Sequence, residues 1–535
     1  MWYDYQWIVI TGGVTSFVTS YFIGANDVAN SFGPSVGAKT LTIAQACCLA
    51  GLLEFAGAVI LGGEVSDTIS SGIARPETFY DKPEFFAYGM LCSLVSSALW
   101  LFIATYNGMP VSTTHSIVGA VTGFSLVYGG DKSIVWVDKT NSFPYIKGLV
   151  PIIISWFTSP IISGILSSLL FTLNKVLIIN RKNSIRYLYV VSPFLLYITF
   201  FINFFFVFYK GGKKELNWDA NKSAWVSSLV SIGAVVLSGM AQYVYSKFKK
   251  NKDDTILRIV ESVHIENNGK ESLFKKVFKT ITYGVNYDIH ANTSEEIKKI
   301  HEGVEEFDEE IENHYRYLQI FSSSCVAFAH GANDVANAIG PFIGILYVYE
   351  NMVMSTKANA PKWIFAMGGA GIVIGLFTYG YNLMKTIGVN ICKMSPSRGY
   401  CIELSTALTV LIASISGIPI STTHCVVGAE IGLSIIENRH NMNWSLLRKT
   451  FMMWIITILI TGLISASLFS QGVYSPSIQM SRDLVVYESN IRDMILNMSD
   501  DNKTIEIVNK IYNKKKNGYI EPKNITSYLD SICIK

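Results

Sequence analysis

The sequence predicts an all-α polytopic membrane protein of about 12 transmembrane segments, arranged in two inverted repeats with broken or re-entrant helices. Three observations carry this. Half of the 535 residues are apolar and only 16% are charged, against about 25% in soluble domains. The charges are segregated, scarce in long apolar runs and dense between 247 and 316 and after 473. Two short boxes recur in the same order in both halves of the chain.

A span needs about 20 apolar residues. Stretches of that kind lie at 6–38, 41–63, 84–106, 110–129, 147–173, 187–209 and 223–246. After a polar loop they lie at 317–349, 362–386, 400–417, 419–437 and 449–471. The first run, from Trp7, follows no basic leader and is expected to stay as a membrane segment. As one helix, 6–38 would run about 50 Å at 1.5 Å per residue, too long for a hydrocarbon core of about 30 Å. Gly24 and Gly33-Pro34 mark interruptions. Backbone can break inside a membrane only where protein or a water-filled cavity satisfies the freed groups. Both 6–38 and 317–349 are therefore expected to be broken at an interior site.

The first box is Gly24-Ala25-Asn26-Asp27-Val28-Ala29-Asn30 followed by Ser31-Phe32-Gly33-Pro34. Its copy is Gly331-Ala332-Asn333-Asp334-Val335-Ala336-Asn337 followed by Ala338-Ile339-Gly340-Pro341. The second box is Gly108-Met109-Pro110-Val111-Ser112-Thr113-Thr114-His115, copied as Gly417-Ile418-Pro419-Ile420-Ser421-Thr422-Thr423-His424. The order divides the chain into a first membrane repeat at 1–175, linking transmembrane helices at 176–246, a cytoplasmic loop at 247–316, a second repeat at 317–472 and a polar tail at 473–535. An odd number of segments between the starts of the two halves inverts the second copy. Inverted repeats with sites at their interface are a recurring transporter plan.

Lysine and arginine bias orients the chain. Lys247, Lys249, Lys250 and Lys252, then Arg181, Lys182 and Arg186, then Arg439, Arg448 and Lys449 all fall on one side, taken as cytoplasmic. Both termini then face out. Against this, Lys210, Lys213, Lys214 and Lys222 would also face out. The acidic run Glu302 to Glu312 reads as part of a solvated linker. In the tail, Leu484-Val485, Ile491, Ile495-Leu496 and Ile505-Val508 have helical spacing and predict short helices.

The boxes carry the chemistry. An ionisable residue in apolar membrane sequence is a functional-site candidate by default, and Asp27 and Asp334 occupy matching positions. Asn30 and Asn337 follow three residues later, on the same helix face as the aspartates. Asn26 and Asn333 could cap or coordinate. Carboxylate and carboxamide oxygens with free carbonyls suit a hard cation, sodium or a proton, whereas zinc would want nitrogen or sulfur. The plainer alternative is an N-cap aspartate at a buried helix start.

In the second box, glycine before proline with apolar sequence beyond predicts a helix start with proline at its first position. Ser112-Thr113-Thr114 and Ser421-Thr422-Thr423 would then occupy first turns. Free backbone N–H groups and the positive helix end make such a turn an anion site, phosphate above all. The alternative is that Ser112 and Ser421 only cap. His115 and His424 are expected to fix these helix starts by hydrogen bonds rather than shuttle protons. Two further carboxylates, Glu54 and Glu403, lie in apolar sequence at non-equivalent positions. Each is a cation ligand or a protonated acid between helices, and Gln45 is a weaker candidate. No lysine or arginine stands in either box to offset two aspartates beside an anion. Bound cations would do so, which makes anion binding depend on cation binding.

On these motifs the chain resembles the inorganic phosphate transporter (PiT) family of sodium- or proton-coupled phosphate symporters, over 1–175 and 316–472. The resemblance implies twelve spans, inverted repeats, outward termini and a large cytoplasmic loop. It implies that Asp27, Asp334, Glu54 and Glu403 are essential to transport and that the Ser-Thr-Thr triplets contact phosphate. Similarity to the eukaryotic members implies sodium as the coupling ion. The expected phosphate site is then Ser112, Thr113, Thr114, Ser421, Thr422, Thr423, Asn30 and Asn337. The expected sodium site is Asn26, Asp27, Glu54, Asn333, Asp334 and Glu403, with Asp27 and Asp334 as the metal-binding carboxylates.

The expected partners are inorganic phosphate, sodium ions and the lipid bilayer, with a homodimer as one allowed assembly, no nucleic acid and no cofactor. The expected location is the plasma membrane, as a multi-pass protein. The rivals are a proton-coupled phosphate or sulfate-type anion carrier and, from another class, a receptor or channel scaffold. An enzyme is disfavoured because His-Glu-x-x-His and nucleophile-base patterns are absent. The eight cysteines show no metal spacing, and those in apolar runs behave as small hydrophobes rather than a disulfide framework.

Overall fold

A computed structural model describes residues 5–475, apart from 142–143, 217, 250–283, 285–286, 291–292, 352, 354–359, 439 and 441. Much of the loop and nearly all of the tail, with the short helices expected there, lie outside the described residues. The chain through Ser470 is one compact unit.

The described residues are helical almost throughout. The first half holds α1 (Gln6–Gly37), α2 (Ile43–Leu61), α3 (Gly63–Ser71), α4 (Pro83–Tyr106), α5 (Thr113–Gly129) and α6 (Leu149–Asn174). The helices α7 (Ser184–Leu216) and α8 (Ala220–Lys249) follow. Then come α9 (Glu295–Glu302), α10 (Glu309–Asn351), α11 (Lys362–Tyr379), α12 (Tyr381–Lys385), α13 (Pro396–Ile415), α14 (Thr422–Asn438) and α15 (Trp444–Tyr474). Single π turns close α6 at Lys175–Ile179 and α12 at Thr386–Asn390. The one small sheet among the described residues pairs Asp138–Lys139 with Ile146–Lys147.

Nine of these helices are long and apolar enough to cross a membrane: α1, α2, α4, α6, α7, α8, α11, α13 and α15. The apolar side chains of α6 and α15 that stay exposed, such as Phe157, Ile165, Leu459 and Leu463, form surface that a bilayer would cover. The helices α5 and α14 have 17 residues each. Each follows its predecessor through a tight turn, making the hairpins α4–α5 and α13–α14.

The expected interruption of the two Gly-Ala-Asn-Asp helices is not what the backbone does. The first is continuous for 32 residues and the second for 43, with Pro34 and Pro341 inside them. The glycines serve a different purpose. A Cβ on Gly24 would stand 1.9 Å from the carbonyl oxygen of Ile372 in α11, and one on Gly331 would stand 2.0 Å from that of Glu54 in α2. These glycines let two helix backbones touch, the small-residue packing by which helices associate in membranes. The helix α1 accordingly packs on α10 and α11, and α10 packs on α1, α2 and α13.

Both glycines of the second box have positive φ, Gly108 at 65° and Gly417 at 68°. Each ends its helix with the same pair of bonds. Gly108 N–H donates to Thr105 O and Met109 N–H to Ala104 O, while Gly417 N–H donates to Ser414 O and Ile418 N–H to Ala413 O. This is a left-handed C-terminal cap, which favours glycine because it has no Cβ to clash. The proline was expected at the first helical position, yet the helices begin three residues later, at Thr113 and Thr422. Ser112 stands at the N-cap with φ −91° and ψ 118°, and its hydroxyl accepts from His115 N–H at 3.2 Å. Ser421 accepts from His424 N–H at 3.3 Å. A cap needs an extended backbone and a side-chain acceptor, which serine has and proline lacks.

Candidate functional site

The two hairpin tips meet inside the protein. Thr114 Oγ1 donates to Ile420 O at 3.0 Å, and Thr423 Oγ1 donates to Val111 O at 3.3 Å. The first-box asparagines pin these tips. Asn26 Nδ2 donates to Thr105 Oγ1 at 3.0 Å and to Met109 O at 3.3 Å, while its Oδ1 accepts from Val111 N–H at 3.3 Å. Asn333 Nδ2 donates to Ile420 O at 2.7 Å, and its Oδ1 accepts from Ser414 Oγ at 3.3 Å. Of the residues expected to hold sodium, Asn26 is thus engaged on the hairpin tip. Asn333 also reaches Asp334 Oδ1, at 3.2 Å.

Around the tips the donors converge on two carboxylates. Asp27 accepts from Thr113 at 2.9 Å, from Asn30 at 3.2 Å and from Thr423 at 3.3 Å. Asp334 accepts from Asn337 at 2.8 Å and from Thr422 at 2.9 Å, with Thr113 Oγ1 3.4 Å away. The asparagines reach across to the other half. Asn30 Nδ2 meets Thr422 and Thr423, at 3.2 Å and 2.9 Å. Asn337 Nδ2 meets Thr113 and Thr114, at 3.2 Å and 3.1 Å. All of these side chains are buried. Asn337 Oδ1 has no partner.

One member of the cluster was not among the sequence candidates. His330 lies between Glu54 and Asp334, with Nδ1 3.2 Å from Glu54 Oε1 and Nε2 3.2 Å from Asp334 Oδ2. Neither approach is aligned as a hydrogen bond. Single atoms of Asp27, His330 and Asp334 lie within 4.8 Å of one another. His330 precedes the second Gly-Ala-Asn-Asp box directly, four residues before Asp334 and so on the same face. The first box has Ile23 there, so a comparison of the copies hides the histidine.

The two glutamates part company. Glu54 joins the aspartates through His330 and accepts from Ser31 Oγ at 3.3 Å, while its Oε2 has no partner. Glu403 shares no hydrogen-bond partner with either aspartate. It accepts from Ser35 Oγ at 2.6 Å, from Gln319 Nε2 at 3.3 Å and from Ser322 Oγ at 2.7 Å. It therefore holds a second polar pocket, between α1, α10 and α13. Gln45 is in neither cluster; with Thr42 it makes a reciprocal capping box at the start of α2.

His115 and His424 hold something other than their own helix starts. His115 Nδ1 lies 3.2 Å from Trp454 O in α15, and His424 Nδ1 lies 3.0 Å from Trp156 O in α6. Each triplet helix is tied to the closing helix of the other half, with the two imidazoles 4.5 Å apart between centroids.

Among the described residues Arg398 is the one buried lysine or arginine, and its bonds are to Glu437 and Glu305, neither of them in this cluster. The cluster is thus two or three carboxylates, one imidazole and a ring of hydroxyl and amide donors, closed off from water. Such a set can hold hard cations on oxygen and an oxyanion on N–H and O–H donors.

The sequence pattern of the phosphate transporter family matches residues 23–465. The phosphate-repressible phosphate permease of Neurospora crassa is 27% identical, covering 89% of this chain and 98% of its own. The sodium-dependent phosphate transporter of Plasmodium falciparum is 28% identical, covering 90% of this chain and 99% of its own. A solved structure, that of a sodium-dependent phosphate transporter, superposes with a TM-score of 0.68 at 31% identity, over 86% of this chain and 98% of that one.

Proposed function

This chain belongs to the phosphate transporter family, a multi-pass membrane protein and not an enzyme, and on that premise we propose that it imports inorganic phosphate by symport with sodium. Phosphate binds between the hairpin tips, on Thr113, Thr114, Thr422 and Thr423 with Asn30 and Asn337. Ser112 and Ser421 set the helix ends by capping. Sodium binds at Asp27 and Asp334, with Glu54 at their edge and Glu403 as a separate station. The two halves form inverted repeats that alternate access to the site, and the polar loop faces the cytoplasm.

The observation that carries this is the crosswise bonding of two carboxylates to the same hydroxyls and amides that would serve an anion. Phosphate cannot replace the carboxylates as acceptor while both stay negative at such short range, because like charges in a low-dielectric interior repel strongly. Sodium on each aspartate removes that repulsion and supplies attraction. Anion binding is then conditional on cation binding.

Protons are the rival coupling ion, and His330 between Glu54 and Asp334 is the observation that favours them. Uptake of labelled phosphate into proteoliposomes, with sodium and proton gradients imposed separately, tests both. Uptake driven by the sodium gradient alone supports the reading, and uptake driven only by the proton gradient replaces sodium by protons.

A further inference from the structure

Glu430 has no place in the site just described. It lies on α14, the helix that begins at Thr422 and Thr423, about two turns further on. It is completely buried, and both of its carboxylate oxygens are without a hydrogen-bond partner. The corresponding stretch of α5 carries no carboxylate, so Glu430 is not part of the duplicated pattern.

The elements packed on α14 are α6, α13 and α1. α6 has no ionisable side chain. α13 contributes Arg398, Tyr400, Cys401 and Glu403, α1 contributes Tyr21 and Asp27, and the segment before α13 contributes Cys392 and Lys393. On α14 itself the ionisable groups are His424, Cys425 and Glu437. The one cation that could pair with Glu430 from α13 is already committed. Arg398 Nε donates to Glu437 Oε2 at 2.9 Å, and its Nη2 donates to Glu305 O at 2.6 Å. Lys393 is held by Glu306 at 2.8 Å.

A cleft of about 10 Å³, room for roughly one water, opens beside the Arg398–Glu437 pair and is lined by Cys392, Leu433 and Ser434. Ser434 is one turn from Glu430 on the same helix.

We propose that Glu430 is a proton-binding site, separate from the aspartate site and loaded through this cleft. A buried carboxylate with no partner is too costly to keep charged and takes up a proton instead. Sodium would need several oxygens around it, and here neither carboxylate oxygen has a polar partner at hydrogen-bond distance. The step is one proton from water in the cleft onto the carboxylate, returned to water when α14 and α13 separate. Glu430 stays neutral in the closed protein and ionises when the Arg398 side opens. Because α14 begins at the phosphate triplet, pH on that side biases release of phosphate. This last consequence rests on the transport reading, whereas proton binding does not.

The test uses the full chain in lipid nanodiscs and in proteoliposomes. Infrared difference spectra, in light and heavy water, should show a protonated-carboxyl band in the wild type that is missing from Glu430→Gln and from Glu430→Met. A wild-type band in either variant overturns the proton site. In proteoliposomes, sodium-driven uptake by Glu430→Gln should persist. Its rate relative to wild type should change severalfold with pH on one side of the membrane, a ratio that cancels the titration of phosphate itself. A constant ratio overturns the link to release. Absence of sodium-driven uptake in the wild type would count against sodium coupling and leave the infrared result to decide the proton site.

Discussion

Asn30 and Thr423 lie 393 positions apart, and the amide of the first donates to the hydroxyl of the second at 2.9 Å. The mirror contact joins Asn337 to Thr114 at 3.1 Å. Each Gly-Ala-Asn-Asp helix is therefore read by the Ser-Thr-Thr helix of the other half, and neither half completes the cluster alone. The consequences can be measured.

Replacing Asp27 or Asp334 by asparagine keeps an oxygen that can accept from Thr113 or Thr422 but removes the charge. Coupled uptake in proteoliposomes should disappear while the protein still inserts and purifies. Wild-type uptake in both variants would reduce the aspartates to packing groups.

Thr423→Val removes the hydroxyl that donates to Asp27 and accepts from Asn30, and Thr422→Val removes the matching donor to Asp334. A hydrogen bond to a charged group is worth roughly 1.5–3 kcal/mol, so the phosphate concentration for half-maximal uptake should rise about tenfold or more. An unchanged concentration in both variants would move the anion away from the triplets.

Gly24→Ala and Gly331→Ala test the helix contacts. The added methyl would overlap a carbonyl oxygen of the neighbouring helix, and relief requires the helices to move apart. Overpacking of this kind typically costs about 1–3 kcal/mol or more. Both variants should melt at lower temperature in detergent than Gly233→Ala, where a Cβ meets nothing within 4 Å. Equal melting temperatures would contradict the packing.

Sodium and phosphate should tighten each other by one common factor, since linkage is reciprocal for equilibrium binding. Titrating phosphate at several sodium concentrations, and sodium at several phosphate concentrations, measures that factor twice on purified protein. With choline holding ionic strength, phosphate affinity that ignores sodium would exclude sodium as the counter-charge. In Asp334→Asn the dependence on sodium should weaken, because less negative charge awaits neutralisation.

Much of this protein is set by properties that belong to single residues and short windows. Apolar runs partition into a bilayer wherever they lie, so the helical membrane class was legible, and buried polar groups in duplicate marked Asp27, Asp334 and the triplets without any knowledge of their partners. The box glycines illustrate the limit. Gly24 and Gly331 look like helix breaks in one dimension, because the backbones of Ile372 and Glu54 that demand their small size are distant in the chain. The same holds for Pro110 and Pro419, displaced from the helix starts because Ser112 and Ser421 alone supply the capping oxygen. His330 acquires meaning only when α2 brings Glu54 to its other nitrogen. Glu403 leaves the aspartates because Gln319, Ser322 and Ser35 surround it on different helices. Hydrophobicity and helix propensity act locally and survive in the sequence, whereas the choice of packing partner depends on which surfaces meet in space, and the tertiary structure alone decides that.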